Sequence, residues 1–144
     1  MNNIVFKQLP PETIGEMAAL GKQSRELQKA GDFAAAEPYL LKIWELIPEP
    51  KLDWGNTDSL IYGITDFYRR WGKHDIAKQW IAEVFKRELL PYEYCQYLEA
   101  GKTYYEAGEF EMAREYFVKT YRIAKSSGFN GEDPKYLKFL KSKK

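Results

Sequence analysis

The chain has 144 residues, enough for one domain that buries roughly two-thirds of the surface its unfolded form would expose. Its 44% hydrophobic and 30% charged residues exclude the disordered class, and 22 Lys and Arg against 21 Asp and Glu leave no overall field to draw nucleic acid or an anionic membrane. One cysteine and one histidine exclude an internal disulfide and a zinc site built from those residues.

Apolar residues recur at three- and four-residue steps almost throughout, which predicts helices. A first helix is expected from about Pro11 to Ala30, with Ile14, Met17, Leu20 and Leu27 on one stripe and Gly31 as its stop. Asp32 caps a second, carrying Phe33, Ala36, Leu40, Ile43 and Trp44 through Pro38 until Pro48 and Pro50 forbid continuation. Asn56 or Thr57 caps a third through Leu60, Ile64, Phe67 and Tyr68 to Trp71. Gly72 then turns the chain into a fourth with Ile76, Ala77, Ile81, Val84 and Phe85. After Pro91 the pattern returns, with Tyr94, Tyr97, Ala100, Gly101 and Tyr104 facing one way as far as Gly108. Phe110, Ala113, Phe117, Thr120 and Tyr121 follow, to about Gly128. Asp133 and Pro134 form the cap and first turn of a short terminal helix through Tyr136, Leu137, Phe139 and Leu140, expected to lie as a lid on an exposed apolar end.

Three turn segments align: Gly31-Asp32-Phe33 to Ala36, Gly72-Lys73-His74 to Ala77, and Gly108-Glu109-Phe110 to Ala113. Each sets a ring two residues after Gly and an Ala three further, and Leu40, Ile81 or Phe117 follows four residues later. The Ala positions lie 41 and 36 residues apart (36 to 77, 77 to 113), so the period is loose. These segments resemble tetratricopeptide repeats, helix-turn-helix units of about 34 residues. The third unit matches best, through Ala100-Gly101, Tyr104, Gly108, Phe110, Ala113 and Phe117. Ser24 and Thr65 stand where the family favours Gly, and His74 where it favours a ring. The resemblance implies an all-α fold: a right-handed superhelix of three repeat-like pairs (about 12–48, 56–89 and 91–127) and a capping helix (about 133–142), forming a single domain over 1–144.

Gly101-Lys102-Thr103 resembles the tail of a phosphate-binding loop, but Gln96 stands where the earlier Gly belongs and the run sits inside a helix. His74 reads as an aromatic substitute, Cys95 as an ordinary small residue, and Glu106, Glu109, Glu111 and Glu115 as solvated helix faces. Arg69-Arg70 beside Trp71 is a single basic doublet in a neutral chain. No enzyme activity, cofactor or metal is expected.

In the family, the first helices of successive pairs line a groove that takes a protein or peptide. That resemblance places Arg25, Gln28, Tyr62, Asp66, Arg69, Leu98, Lys102 and Tyr105 in the groove as partner-binding residues. The Lys/Asn carboxylate clamp of chaperone-binding repeats is not matched, since Gly21, Arg25, Tyr62 and Asp66 occupy those positions. The expected function is a non-catalytic protein-binding module. Size and architecture suit a bacterial immunity protein that neutralises a cognate toxin, and the alternative is an assembly factor acting by self-association, with Trp54 and Trp80 as its contacts. Met1 to Pro10 carries no targeting pattern and no run approaches a membrane span, so a cytoplasmic monomer rather than a homodimer is expected, with no nucleic-acid or membrane partner. Lys135, Lys138, Lys141, Lys143 and Lys144 read as a solubilising tail.

Overall fold

The computed structural model describes residues 5–142; Met1 to Ile4, and Lys143 and Lys144 of the basic tail, lie outside them. Among the described residues are seven α-helices: α1 (Pro11–Lys29), α2 (Phe33–Glu45), α3 (Thr57–Arg70), α4 (His74–Ala82), α5 (Cys95–Glu106), α6 (Phe110–Ala124) and α7 (Pro134–Lys141). Short 3-10 turns follow α2, α4 and α6, and one isolated bridge pairs Lys7 with Trp54. The chain is all-helical, with two compact units, the first ending at Leu60 and the second beginning at Ile61, inside α3.

The three glycine turns are built alike. Gly31, Gly72 and Gly108 have φ of 80°, 78° and 79°, a region costly to any residue with a Cβ. Each donates its N–H to the carbonyl three residues back, Gln28, Arg69 or Tyr105, at 3.0 Å. The next residue donates five back at 2.9 Å, to Leu27, Tyr68 or Tyr104. These are the paired bonds that close a helix in a Schellman motif. The following helix opens with Ala36, Ala77 or Ala113 donating to Asp32, Lys73 or Glu109, and all three alanine side chains are fully buried. The Asp32 carboxylate also accepts from Ala35 N at 3.1 Å, so it caps α2 as expected.

In the first unit, α1 packs against α2 at its two buried residues, Gly21 and Ser24. Ile14, placed on the buried stripe by periodicity, is 40% exposed, because the contact with α2 follows the small residues instead. α2 runs unbroken through Pro38. Lys51 Nζ meets the carbonyl of Trp44 near its end, at 2.9 Å, and that of Ile47 just beyond it, at 2.7 Å. The Asn56 carbonyl accepts from Leu60 N at 3.2 Å, and the Thr57 hydroxyl donates to the Lys51 carbonyl, so Asn56 opens α3 and Thr57 ties it to the preceding turn.

In the second unit α5 packs against both α4 and α6, and α7 against α6. Ser24, Thr65 and Gly101 occupy one repeat position and are all buried, each by a different device. Ser24 Oγ donates to Ala36 O at 3.3 Å, and Thr65 Oγ1 folds back onto Ile61 O at 2.7 Å. Gly101 simply yields its space: a Cβ there would meet two carbons of the Phe117 ring at 2.5 Å. α5 starts at Cys95 rather than just after Pro91, because the Glu93 carboxylate holds the approach in a turn, accepting from Leu90 N at 2.6 Å and from Arg87.

α7 lies as the expected lid. Tyr136 is buried with Leu98, Ala113, Phe117 and Phe129, and Leu137, Phe139 and Leu140 flank that core. Arg114 holds the far end of α7, donating to Leu140 O at 3.0 Å and Ser142 O at 3.1 Å with its guanidinium 4.4 Å over the Phe139 ring. Gly101→Ala should destabilise the second unit by about 1–3 kcal/mol, the cost of forcing a methyl into filled space. Equilibrium urea unfolding checks this, and wild-type stability in that variant would show that α5 and α6 do not approach so closely at Gly101.

Candidate functional site

One helical stripe of α3 carries Tyr62, Asp66 and Arg69, four and three residues apart. Arg69 reaches from it to α5. One guanidinium nitrogen, Nη1, lies 3.1 Å from both Thr103 Oγ1 and Glu99 Oε1, while Nη2 lies 3.0 Å from Asp66 Oδ1. Arg70 closes the other Asp66 oxygen, Nε to Oδ2 at 2.8 Å. On α5, Lys102 bridges Glu99 at 3.0 Å and Glu132 at 2.7 Å, tying the helix to the loop before α7. Glu106 accepts from Tyr136 OH at 2.6 Å and pairs with Lys135 Nζ at 2.8 Å. These side chains line an open basin of about 310 Å³, floored by Arg69, Lys102 and Tyr136 and edged by Asp66, Arg70, Glu106, Glu132 and Asp133.

Burial differs sharply across the basin. The Arg69 and Lys102 side chains are 5% and 12% exposed, against 46% for Asp66. Desolvation alone would raise the pKa of Asp66, but the Arg70 hydrogen bond and the charges of Arg69, Arg70 and Lys102 outweigh it and hold the carboxyl below its ordinary value. Glu106 follows the same balance: burial pushes it up, and the bonds from Lys135 and Tyr136, with the Lys135 and Arg69 charges, bring it below. Burial first, then the bond to the Glu106 carboxylate, pushes the Tyr136 phenol well above its usual range.

Of the expected groove residues, the structure brings Asp66, Arg69 and Lys102 together at this basin. Tyr62 is half-buried on the same α3 stripe. Two others are corrected. Leu98 is 5% exposed and belongs to the apolar core, because α5 is covered on two sides and its buried stripe is wide. Tyr105 stands edge-on to Phe110, Tyr136 and Phe139, at 5.3, 5.2 and 5.2 Å, so α7 takes the face it was expected to show a partner. In the first unit Arg25 is exposed on α1, and Gln28 donates to Ser24 Oγ at 2.9 Å.

Reasoning from sequence missed Arg70, Glu132 and Tyr136 as lining residues of the basin and Glu99 as the partner of Arg69 and Lys102, and read Glu106 and Lys135 as a solvated face and a tail, whereas they pair with each other. The Asp133-Pro134 cap was the one local sign that the loop before α7 would be fixed near α5. The other motifs take structural places. Gly101-Lys102-Thr103 lies inside α5; Cys95 is its exposed first residue; His74 opens α4 with a buried Nδ1 that has no hydrogen-bond partner. Arg69 and Arg70 both turn to Asp66 rather than outward as a basic pair. Among the described residues no group of three or more His, Cys, Asp or Glu side chains is disposed to hold a metal ion, and no helix is long and apolar enough to cross a membrane.

No protein-family model matches the chain, and no curated protein does either.

Asp66 and Glu106 have lower pKa values folded than unfolded, so their stabilisation is complete above the unfolded values of 3.8 and 4.5 and is lost as pH falls through the folded ones. Thermal stability should accordingly drop as the solution is acidified below about 4.5, and Glu106→Gln should shallow that slope. Melts by circular dichroism across pH 2 to 7 (about five points) test it; an unchanged slope in Glu106→Gln would remove Glu106 from the linkage.

Proposed function

We propose that the chain is a non-catalytic protein-binding module, its three helix pairs stacked as a tetratricopeptide-like right-handed superhelix, and that it recognises a protein or peptide partner at the charged basin of α3, α5 and the α7 approach. The stacking reading rests on three identical glycine turns, each followed by a fully buried Ala. The binding reading rests on one observation: Asp66, Arg69 and Lys102, which the repeat resemblance places on the recognition face, converge at a single open basin. Their side chains are already fixed by ion pairs, so a partner would meet a pre-ordered surface and lose less rotamer entropy on binding. Asp66 and Glu106, held below carboxylate values that already lie well below neutrality, are ionised near neutral pH, which suits electrostatic recognition and makes them poor proton donors.

Within that class, the reading put to test is a cytoplasmic immunity protein that neutralises a cognate toxin. Basin contacts would set on-rate and specificity, and affinity would fall with salt.

The geometry also selects the variant for the test. Arg69 and Tyr105 carry α3–α5 and α7 packing, so their loss would disturb the fold, whereas the Arg70 side chain is half-exposed and pairs with Asp66 at the edge of the basin. Immobilised full-length protein should retain a partner from its host, identified by mass spectrometry. Arg70→Glu should weaken that complex about tenfold or more while leaving the melting temperature near wild type. A partner held equally well by Arg70→Glu would move recognition off the basin, and failure of the protein to protect cells from a toxin encoded beside its gene would remove the immunity role.

A further inference from the structure

Lys78 and Phe85 join α4 and its closing turn to the helix pair that follows. Lys78, the residue after Ala77, pairs with the Glu109 carboxylate at the start of α6 and sets its Nζ 5.5 Å over the Tyr104 ring of α5. The Phe85 ring, seven residues on, centres 5.8 Å from that of Tyr97 on α5 and 6.0 Å from that of Tyr116 on α6. Glu109 and Tyr116 are also seven apart, so α4 and α6 run in the same direction and meet along one stripe of α6.

Arg114 and Tyr121 stand after Ala113 as Lys78 and Phe85 stand after Ala77. Arg114 repeats half of the contact, its guanidinium 4.4 Å over the Phe139 ring of α7. The other half is open. Arg114 lines a groove of about 910 Å³ along α6 and the end of α7, with Phe110, Val118 and Phe139 as its apolar floor, and Tyr121 lines a hollow of about 320 Å³ against Leu140. Among the described residues no helix stands to α6 and α7 as α6 stands to α4 and α5, and the two openings lie where its contacts would fall. Charge supports the same reading. Lys78 is paired with Asp75 and Glu109, whereas among the described residues no carboxylate pairs with Arg114, or with Arg122 and Lys141 beside the hollow. Glu111, Glu115 and Arg122 repeat Asp75, Gln79 and Lys86, which α6 leaves exposed, so they border the contact rather than carry it.

We propose that this place takes a helix from a partner protein, laid parallel to α6, with an acidic side chain against Arg114 and, seven residues on, an aromatic ring in the hollow beside Tyr121. An acidic residue near the start of that helix also meets the favourable end of its own dipole. Glu109 and Tyr116 of a second copy do not supply the pair, because each is already held against its own α4 and closing turn. The residue after the ring is small. On α6 that position is Phe117, seated over Gly101, which stands three residues before Tyr104; three residues before Phe139 stands Tyr136, so α7 offers no glycine recess. Groove and hollow share no residue with the basin, and the proposal does not rest on binding there.

The probe is a synthetic peptide of residues 109–124 carrying Phe117→Ala, capped at both ends, labelled with fluorescein and titrated with the full chain. Fluorescence anisotropy should show saturable binding in the micromolar range that weakens as salt rises. In the peptide, Glu109→Lys and Tyr116→Ala should each weaken binding about tenfold, and restoring Phe117 should weaken it too, all without touching the fold of the protein. In heteronuclear NMR spectra the amides of residues 114 to 122 and 139 to 142 should shift while those of Asp66 and Arg69 stay in place. The proposal is overturned if no binding saturates below about 1 mM or if Glu109→Lys and Tyr116→Ala leave the affinity unchanged. Shifts centred on residues 74 to 86 would also overturn it, since the peptide would then have displaced α6 itself. So would movement of the same amides when the protein alone is concentrated, which would give the place to a second copy.

Discussion

Two helices can lie close only where one of them gives up bulk, and that constraint organises each hairpin of this protein. At the third pair the trade is complete: the Phe117 ring fills the space a Cβ on residue 101 would need, so the largest side chain of α6 is seated against the smallest of α5. Burying a phenyl ring is worth about 1.5–3 kcal/mol, and it is available here only because Gly101 accepts a helix-propensity cost of about 1 kcal/mol. Ser24 and Thr65 meet the same constraint with small polar side chains, and each returns its hydroxyl to a backbone carbonyl so that nothing polar is left unmet. The conformationally costly residues, Gly31, Gly72 and Gly108, then reverse the chain within two residues and set the following Ala against the preceding helix.

Features governed by neighbours in sequence were legible in the sequence. Glycine stops, the Asp32 and Asp133 caps and the break at Pro48 act through bonds spanning a few residues, so helix ends were placed to within a residue or two in most elements. The start of α5 was not, because the Glu93 carboxylate, bound to Leu90 N and to Arg87, holds residues 90 to 93 in a turn ahead of the helix. Burial was legible only where one face of a helix is covered. α5 is packed on two sides, which turns Leu98 from a surface position into core, and α7 closes over Tyr105.

The basin shows the limit most clearly. Its defining bonds join residues 30 to 34 apart, Arg69 to Glu99 and Thr103, Lys102 to Glu132, and Glu106 to Tyr136. No periodicity reports such pairs, and a Lys or Glu that bridges helices looks the same in a one-dimensional reading as one that solvates a surface. The repeat reading put Asp66, Arg69 and Lys102 on one face, and all three line the basin, Asp66 and Arg69 through their three-residue spacing on α3. What the register could not supply is which of those charges is spent inside the protein. Arg69 is nearly consumed by its three partners, whereas Arg70, which nothing in the sequence distinguished, keeps half its surface in water.

Net charge hides as much as it reveals. A balance near zero was read as the absence of any directing field, and for the whole chain at distances beyond a Debye length that holds. At contact distance the relevant quantity is the order of charges along a surface. On α6 the order is the one a helix prefers for itself, acidic residues toward the positive N-terminal end of its dipole and basic residues toward the negative C-terminal end. Most surface helices share that order without pairing, since exposed ion pairs contribute little and a polar face gives no reason to leave water.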